Sequence, residues 1–168
     1  MNENEAMLHL LAGKICSGKS TLASHLAGSP NTVVISEDEW LSTLFGEEMH
    51  KISDYVRYSA RLRTIMAPHL TALLRSGVNV VLDFPANTPE MRAWMSTIIK
   101  AAQCRHQLHY LVSSDEECRK RLHNRNAGGN HAFSATDDQF DRITSFFVPP
   151  ASEEGFNIIR HDQEIKVL

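Results

Sequence analysis

The chain has 168 residues, with 17 Lys and Arg against 20 Asp and Glu and a formal net charge of −3 when its nine His are neutral. A length of this order supports one domain, and a 42% hydrophobic content can build its core without metal or disulfide staples. Disorder, a disulfide scaffold and a membrane span are excluded as the overall class: Cys16, Cys104 and Cys118 have no metal or pairing spacing, and apolar runs such as Val80-Val81-Leu82 fall far short of ~18 residues. The acidic balance gives no general electrostatic reason to bind nucleic acid. The acidic start, Asn2-Glu3-Asn4-Glu5, with no cleavable apolar segment after it, makes the cytoplasm the expected location.

Along the chain, short apolar runs alternate with segments of helical period, the pattern of a parallel sheet wrapped by helices. Strands are predicted at Leu8–Ala12, Thr32–Ser36, Val78–Asp83, Leu108–Val112 and Asn157–Arg160. The first helix is predicted at Lys19–Leu26 and a short second at Glu39–Phe45. A long third, Asp54–Arg75, should kink or restart at Pro68, which lacks a backbone donor. Pro89–Ala102, Asp115–Arg125 and Thr136–Phe146 complete the set, with Pro149-Pro150 redirecting the chain toward the last strand. Asn126-Ala127-Gly128-Gly129-Asn130-His131, between two helices, has the composition of a mobile lid or of an ordinary surface loop.

Gly13-Lys14-Ile15-Cys16-Ser17-Gly18-Lys19-Ser20 matches GxxxxGKS between a predicted strand and a predicted helix, the context the motif needs. Its glycines let the loop curl so that backbone N–H groups point at a phosphate, and the positive end of the following helix adds to the attraction. The expected ATP-binding segment is Gly13, Lys14, Ile15, Cys16, Ser17, Gly18, Lys19, Ser20 and Thr21. Lys19 would reach the β and γ phosphates, and the Ser20 hydroxyl would help to hold Mg²⁺. Of Cys16 only the backbone need matter. This loop alone does not separate a kinase from a GTPase or a mechanical ATPase. No guanine-reading NKxD segment is present, and 168 residues leave no room for the extra helical domain of hexameric motors, so a small kinase is the expected class.

Ser36-Glu37-Asp38-Glu39 puts carboxylates just past the second strand, at the edge where α/β folds collect ligands. Asp38 is the candidate base for the proton of an attacking hydroxyl; the alternative is that Asp38 or Ser36 caps the next helix, with Glu37 and Glu39 as solvated companions. Val78-Asn79-Val80-Val81-Leu82-Asp83 resembles a Walker B segment, with Asp83 as candidate ligand for the metal or its water shell, against a turn or cap role. Beyond it, Thr88 is a candidate cap, while Asn87 and Arg92 are candidates to face the acceptor. Arg121 and Arg125 lie four apart on one helical face, where they would offset charge spreading over the transferring group; the alternative is a solvated basic face, and Arg119 and Lys120 are expected to face water. Tyr55, Tyr58 and Arg61 fall at near-helical spacing as candidates for an acceptor pocket, against ordinary core packing. The His residues form no HExxH or comparable set and are read as structural.

Taken in order, GxxxxGKS, Ser36-Glu37-Asp38, Leu82-Asp83 with Asn87-Thr88-Pro89-Glu90, and Arg121 with Arg125 resemble the small P-loop kinases. The similarity is greatest to the zeta-toxin, chloramphenicol-phosphotransferase and polynucleotide-kinase group, from about Leu8 to the last strand. The resemblance implies an α/β, three-layer P-loop NTPase fold. Its five-stranded parallel sheet would have the order 2-3-1-4-5, with helices on both faces and a small lid over about residues 119–135 of a single domain, 1–168. It further implies an ATP·Mg²⁺ donor, a base at Asp38 and a lid carrying Arg121 and Arg125.

One position departs from the pattern. Polynucleotide kinases of this kind carry Arg three residues beyond the base, where this chain has Leu41 beside Trp40. The expected acceptor is accordingly a less charged small molecule, such as an antibiotic, nucleoside or sugar derivative, with Arg57, Arg61 or Arg92 as candidate replacement charges. The expected activity is transfer of the γ-phosphoryl group of ATP to a hydroxyl of that acceptor. A polynucleotide 5′-hydroxyl kinase and a non-catalytic ATP-binding switch are the alternatives.

Overall fold

A computed structural model describes residues 4–129 and 134–162. Strands β1 (Asn4–Ala12), β2 (Thr32–Ser36), β3 (Asn79–Pro85), β4 (Cys104–Leu111) and β5 (Ile158–His161) form one sheet of order β2-β3-β1-β4-β5, parallel at every pairing. Around it run α1 (Lys19–Leu26), α2 (Glu37–Phe45), α3 (Ile52–Arg75), α4 (Pro89–Ala102), α5 (Asp115–Gly128) and α6 (Asp137–Thr144), with a 3₁₀ turn at Ser152–Glu154. This is the expected P-loop NTPase topology. Among the described residues no helix is long and apolar enough to cross a membrane.

The central strands are largely apolar on both faces because helices cover both. Leu8, Leu10, Val80, Leu82 and Leu108 face the stripe Leu62, Met66, Leu70, Leu74 of α3 and Met95, Ile98, Ala102 of α4. On the other side Leu11, Val81 and Leu111 receive Leu22 and Ala23 of α1. A third cluster joins Cys118 and Leu122 of α5 to Ala135 and Phe140, and Ile15 and Cys16 of the β1–α1 loop pack against it.

Several boundaries differ from the sequence reading. Strand β4 starts at Cys104, because its ladder with β1 continues through Arg105, His106 and Gln107, which no apolar run marks. Helix α2 begins immediately after β2, at Glu37, with the Ser36 hydroxyl accepting from the Glu39 N–H. Helix α3 runs unbroken for 24 residues through Pro68. Pro68 removes one main-chain donor, but the fully buried stripe on either side of it holds the helix to the sheet. Helix α5 continues to Gly128, so part of the expected loop is helical; Asn130 and His131 lie outside the described residues.

Arg92 corrects a site expectation: it is fully buried, and its donors are spent inside the protein. Its Nη1 donates to the Ala86 and Val148 carbonyls, each at 2.9 Å, and its Nη2 donates to Glu154 Oε1 at 2.9 Å. A buried guanidinium is tolerable only when its donors are met, and here they staple the exit of β3 to the segment that leads into β5. Three histidines make a second polar device inside the sheet. His9 Nδ1 lies 3.0 Å from His109 Nε2, and His109 Nδ1 lies 3.0 Å from His161 Nε2, so β1, β4 and β5 are linked by a chain of stacked imidazoles. Burial, then the neighbouring His9 and His161, lower the pKa of His109 to about 4.

Replacing Arg92 by Ala strands the Glu154 carboxylate and two carbonyls, and should cost about 3 kcal/mol in urea unfolding; a loss below about 1 kcal/mol would refute the staple. The histidine chain sets a pH dependence. The unfolded imidazole of residue 109 takes its proton near pH 6.5 while the folded one resists until about 4, so the unfolded state binds more protons in between. Stability should therefore fall as pH drops from about 6.5 toward 4, and His109→Leu should make the urea midpoint less dependent on pH over that window.

Candidate active site

The loop between β1 and α1 is held open by its backbone conformation and by its neighbours. Gly18 sits at φ 103, which disfavours side chains with a Cβ, and a Cβ on Gly13 would fall 2.3 Å from the Ser17 hydroxyl oxygen. The Ser17 N–H donates to the Lys14 carbonyl at 3.1 Å and closes the curl. Lys19 lies across the loop, its Nζ donating to the carbonyls of Gly13 at 2.6 Å and Lys14 at 2.7 Å. Burial pulls the Lys19 ammonium down to about 8, opposed first by Asp83 and more weakly by others, including Asp38. The Ser17 hydroxyl oxygen is buried with no hydrogen-bond partner among the described residues, and Ser20 and Thr21 are exposed on the first turn of α1. A curled loop, an orphaned hydroxyl, a cation and a helix N-terminus together fit a polyphosphate.

Asn87 does not face an acceptor, as the sequence suggested, but props this loop. Its Nδ2 donates to the Gly13 carbonyl at 2.8 Å and its Oδ1 accepts from the Gly13 N–H at 2.9 Å, so one side chain satisfies both main-chain groups of the first glycine. The other flank of the loop is tied to α5. Lys14 ion-pairs with Asp115 at 2.6 Å, and Arg121 Nη1 donates to the Cys16 carbonyl at 3.2 Å. Arg125, one turn further along α5, is half-buried with its Nε unpartnered among the described residues. Lys120 is exposed as expected. Arg119 is not left to water: it stacks over Phe140 at 4.8 Å and pairs with Asp141, fastening α5 to α6.

Asp83 follows the apolar run Val80-Val81-Leu82 of β3 in register with Ser36, which puts it beside the start of α2. Burial raises the pKa of its carboxyl; Lys19 opposes the shift and Asp38 adds to it. Asp38 is exposed in the first turn of α2, so the ammonium of Lys19 and two carboxylates share the carboxyl edge of the sheet. Among the described residues no group of three or more His, Cys, Asp or Glu could hold a metal ion. One carboxylate and one hydroxyl, Asp83 and Ser20, match the sparse protein ligation of a Mg²⁺ that takes its remaining oxygens from phosphates and water.

Around Asp38 the structure corrects three readings. Glu37 is not solvated: it is 2% exposed and accepts hydrogen bonds from the Tyr55 hydroxyl and, at 3.2 Å, from Ser59 Oγ. Burial raises its pKa and also that of the Tyr55 phenol, whose hydroxyl is committed to Glu37 instead of to a pocket. Leu41 is 1% exposed, one turn after Glu37 and pointing into the core, so its apolar character is a packing requirement and says nothing of the acceptor. Tyr58 stacks on Phe45 with centroids 4.4 Å apart, and Arg57 and the exposed Arg61 lie over its ring at 5.5 and 6.0 Å.

A GxxxxGKS loop between β1 and α1 of a parallel sheet in this order defines the P-loop NTPase class. Within that class the AAA_33 model, an AAA domain, matches residues 8–150, and the chain belongs to this family. Among solved structures it is similar to a putative kinase from Chloroflexus aurantiacus, at 17% identity and TM-score 0.75 over 96% of this chain and 87% of the other. The APS kinase of Mycobacterium tuberculosis, in complex with AMPPNP and APS, aligns at 18% identity and TM-score 0.62 over 96% of this chain and 91% of its own. A fungal RNA kinase aligns at 15% identity and TM-score 0.58, over 98% and 78% respectively. At these identities the shared property is the fold. No curated protein matches the chain.

Asn87→Ala frees both main-chain groups of Gly13 and should weaken AMPPNP binding about tenfold by titration calorimetry, a loss of about 1–2 kcal/mol. Asn87→Asp, which repels the Gly13 carbonyl and adds negative charge beside the loop, should bind still less. Unchanged affinity in the Ala variant would remove the prop.

Proposed function

We propose that the chain is an ATP-dependent phosphotransferase that moves the γ-phosphoryl group of ATP to a hydroxyl of a small-molecule acceptor. The observation that carries this reading is the exposed Asp38 in the field of Lys19 and Asp83, a second carboxylate on the acceptor side of the loop. The loop amides and Lys19 bind the phosphates, and Ser20 and Asp83 hold Mg²⁺. The metal, when bound, neutralises charge on the β and γ oxygens. Asp38 orients the attacking hydroxyl and takes its proton as the new O–P bond forms and the bond to ADP breaks. Arg121 and Arg125 close from α5 and offset charge on the transferring group.

A polynucleotide 5′-hydroxyl kinase is the second reading of the same residues. The burial of Leu41 favours keeping it, because that side chain no longer argues against a charged acceptor.

The test is ADP formation from ATP·Mg²⁺ against a panel of nucleosides, sugar derivatives, hydroxylated antibiotics and 5′-hydroxyl oligonucleotides. One acceptor should stimulate turnover and gain the mass of a phosphoryl group, and Asp38→Asn should lower kcat by about 10²–10⁴. Stimulation by oligonucleotides that falls steeply with salt would select the polynucleotide reading. Tight ATP binding with no acceptor phosphorylated would point instead to a nucleotide-binding switch.

A further inference from the structure

We propose that Arg63 is the anion-recognition residue of the acceptor site, so that the acceptor carries a phosphate or carboxylate in addition to the hydroxyl it presents to Asp38. The inference rests on the phosphotransferase reading and names the class of its substrate.

Of the other arginines, Arg105 and Arg142 are exposed, and Arg125, on α5, is already proposed to offset charge on the transferring group. Arg92, Arg119 and Arg160 pair with carboxylates, Arg75 donates to the Ala101 carbonyl, Arg121 donates to the loop, and Arg57 and Arg61 rest over Tyr58. Arg63 is half-buried on α3, and its Nη1 donates to the thioether of Met91. Among the described residues no carboxylate lies within ion-pair distance of it. A guanidinium has five donors, and a thioether is a weak acceptor for one of them. A cation that has surrendered part of its hydration without such partners is an energetic debit that a bound oxyanion would offset, two N–H groups to two oxygens.

Position ties this cation to the reaction. Arg63 stands one helical turn after Ser59, which donates to Glu37, the residue before Asp38, and its own charge acts on Glu37. Met91 belongs to the first turn of α4, whose cap, Thr88, follows the loop prop Asn87. The guanidinium thus lies between the start of α2 and the start of α4, beside the carboxyl ends of β2 and β3. The competing role is that of counter-ion to the buried Glu37. That carboxylate already takes hydrogen bonds from Tyr55 and Ser59, and Arg63 makes no ion pair with it.

Inorganic phosphate is the probe. Titrated into ¹⁵N-labelled protein saturated with AMPPNP·Mg²⁺, it should shift the Arg63 Nε–H resonance saturably while the loop amides stay in place, and an equal ionic strength of NaCl should not. An Arg63 resonance that phosphate leaves unmoved overturns the proposal. Failure of AMPPNP to bind would instead sink the phosphotransferase reading, and the phosphate arm is then read in Lys19→Ala, where the loop competes least.

Paired acceptors give the kinetic arm: nucleosides against their 3′-phosphates, and sugars against sugar phosphates and sugar acids. The anionic member should be preferred. Arg63→Gln should raise its KM about ten- to a hundredfold with little change in kcat, and Arg63→Lys should recover part of the loss. Equal use of neutral and anionic partners overturns the proposal. So does an Arg63→Gln variant whose only defect is a lowered Tm that Glu37→Gln restores, because that is the signature of a counter-ion.

Discussion

A loop that turns its N–H groups inward toward a phosphate must turn carbonyls the other way, and those carbonyls need donors that the loop cannot supply. Three of them are met here by side chains from outside the curl or from its far end. Lys19 and Asn87 take the carbonyl of Gly13, Lys19 takes that of Lys14, and Arg121 takes that of Cys16. The donors come from α1, from the exit of β3 and from α5, so the shape of the loop depends on the elements that surround it. Glycine makes the curl sterically permissible; these donors select it from the conformations glycine allows.

The same arrangement ties the loop to α5. Arg121 reaches the loop only because α5 is docked, and α5 is docked by the Lys14–Asp115 pair, by Ile15 and Cys16 against Cys118 and Leu122, and by Arg119 across Phe140 and Asp141. Apolar contact and ion pairing hold the basic helix against the cradle before any substrate charge draws it there. On the opposite side Asp83 is half-buried and Asp38 exposed, though both lie in the field of Lys19. A half-buried carboxylate is dehydrated in advance for a metal, whereas an exposed one can exchange a proton with solvent after each turnover. That difference in burial suits the metal role proposed for Asp83 and the base role proposed for Asp38.

What the sequence made legible was whatever a local pattern encodes. Helices α1 and α4 and strand β2 fall on their predicted residues, because each is bounded by its own signal: the glycine of the loop, the Thr88-Pro89 cap, and for Thr32–Ser36 the Gly28-Ser29-Pro30-Asn31 turn before it and the acidic run after it. The nucleotide loop was legible for the same reason. The misses are side chains whose role depends on a partner far along the chain. Arg92 meets Glu154 across 62 residues, Asn87 meets Gly13 across 74, and Arg119 meets Asp141 across 22. No spacing within a motif reports such pairings, and an arginine or asparagine beside a site looks the same in sequence whether it faces substrate or backbone. Glu37 was misread for a different reason: starting α2 two residues late leaves Glu37 outside the helix, so the face it shares with Leu41 at i, i+4 goes unseen.

Helix α3 shows how one element can serve both core and site. From Leu62 onward it carries the stripe Leu62, Met66, Leu70, Leu74, fully in the core, and this anchors the helix to the sheet through Pro68. Its N-terminal half replaces the stripe by Tyr55, Ser59 and Arg63, polar groups that address Glu37 and Met91. Ser59 continues the buried line of Leu62 and Met66 at helical spacing, and the exposed Tyr55 one turn earlier extends it to the surface, so the face changes from apolar to hydrogen-bonded without a change of direction. Burying Glu37 with two hydroxyl donors and a distant cation is costly compared with a Leu at that position. What the arrangement yields is rigidity at the residue before the candidate base. Glu37 is locked to α3, α3 is locked to the sheet, and Asp38, the proposed base, is thereby held on a fixed helical turn beside the loop.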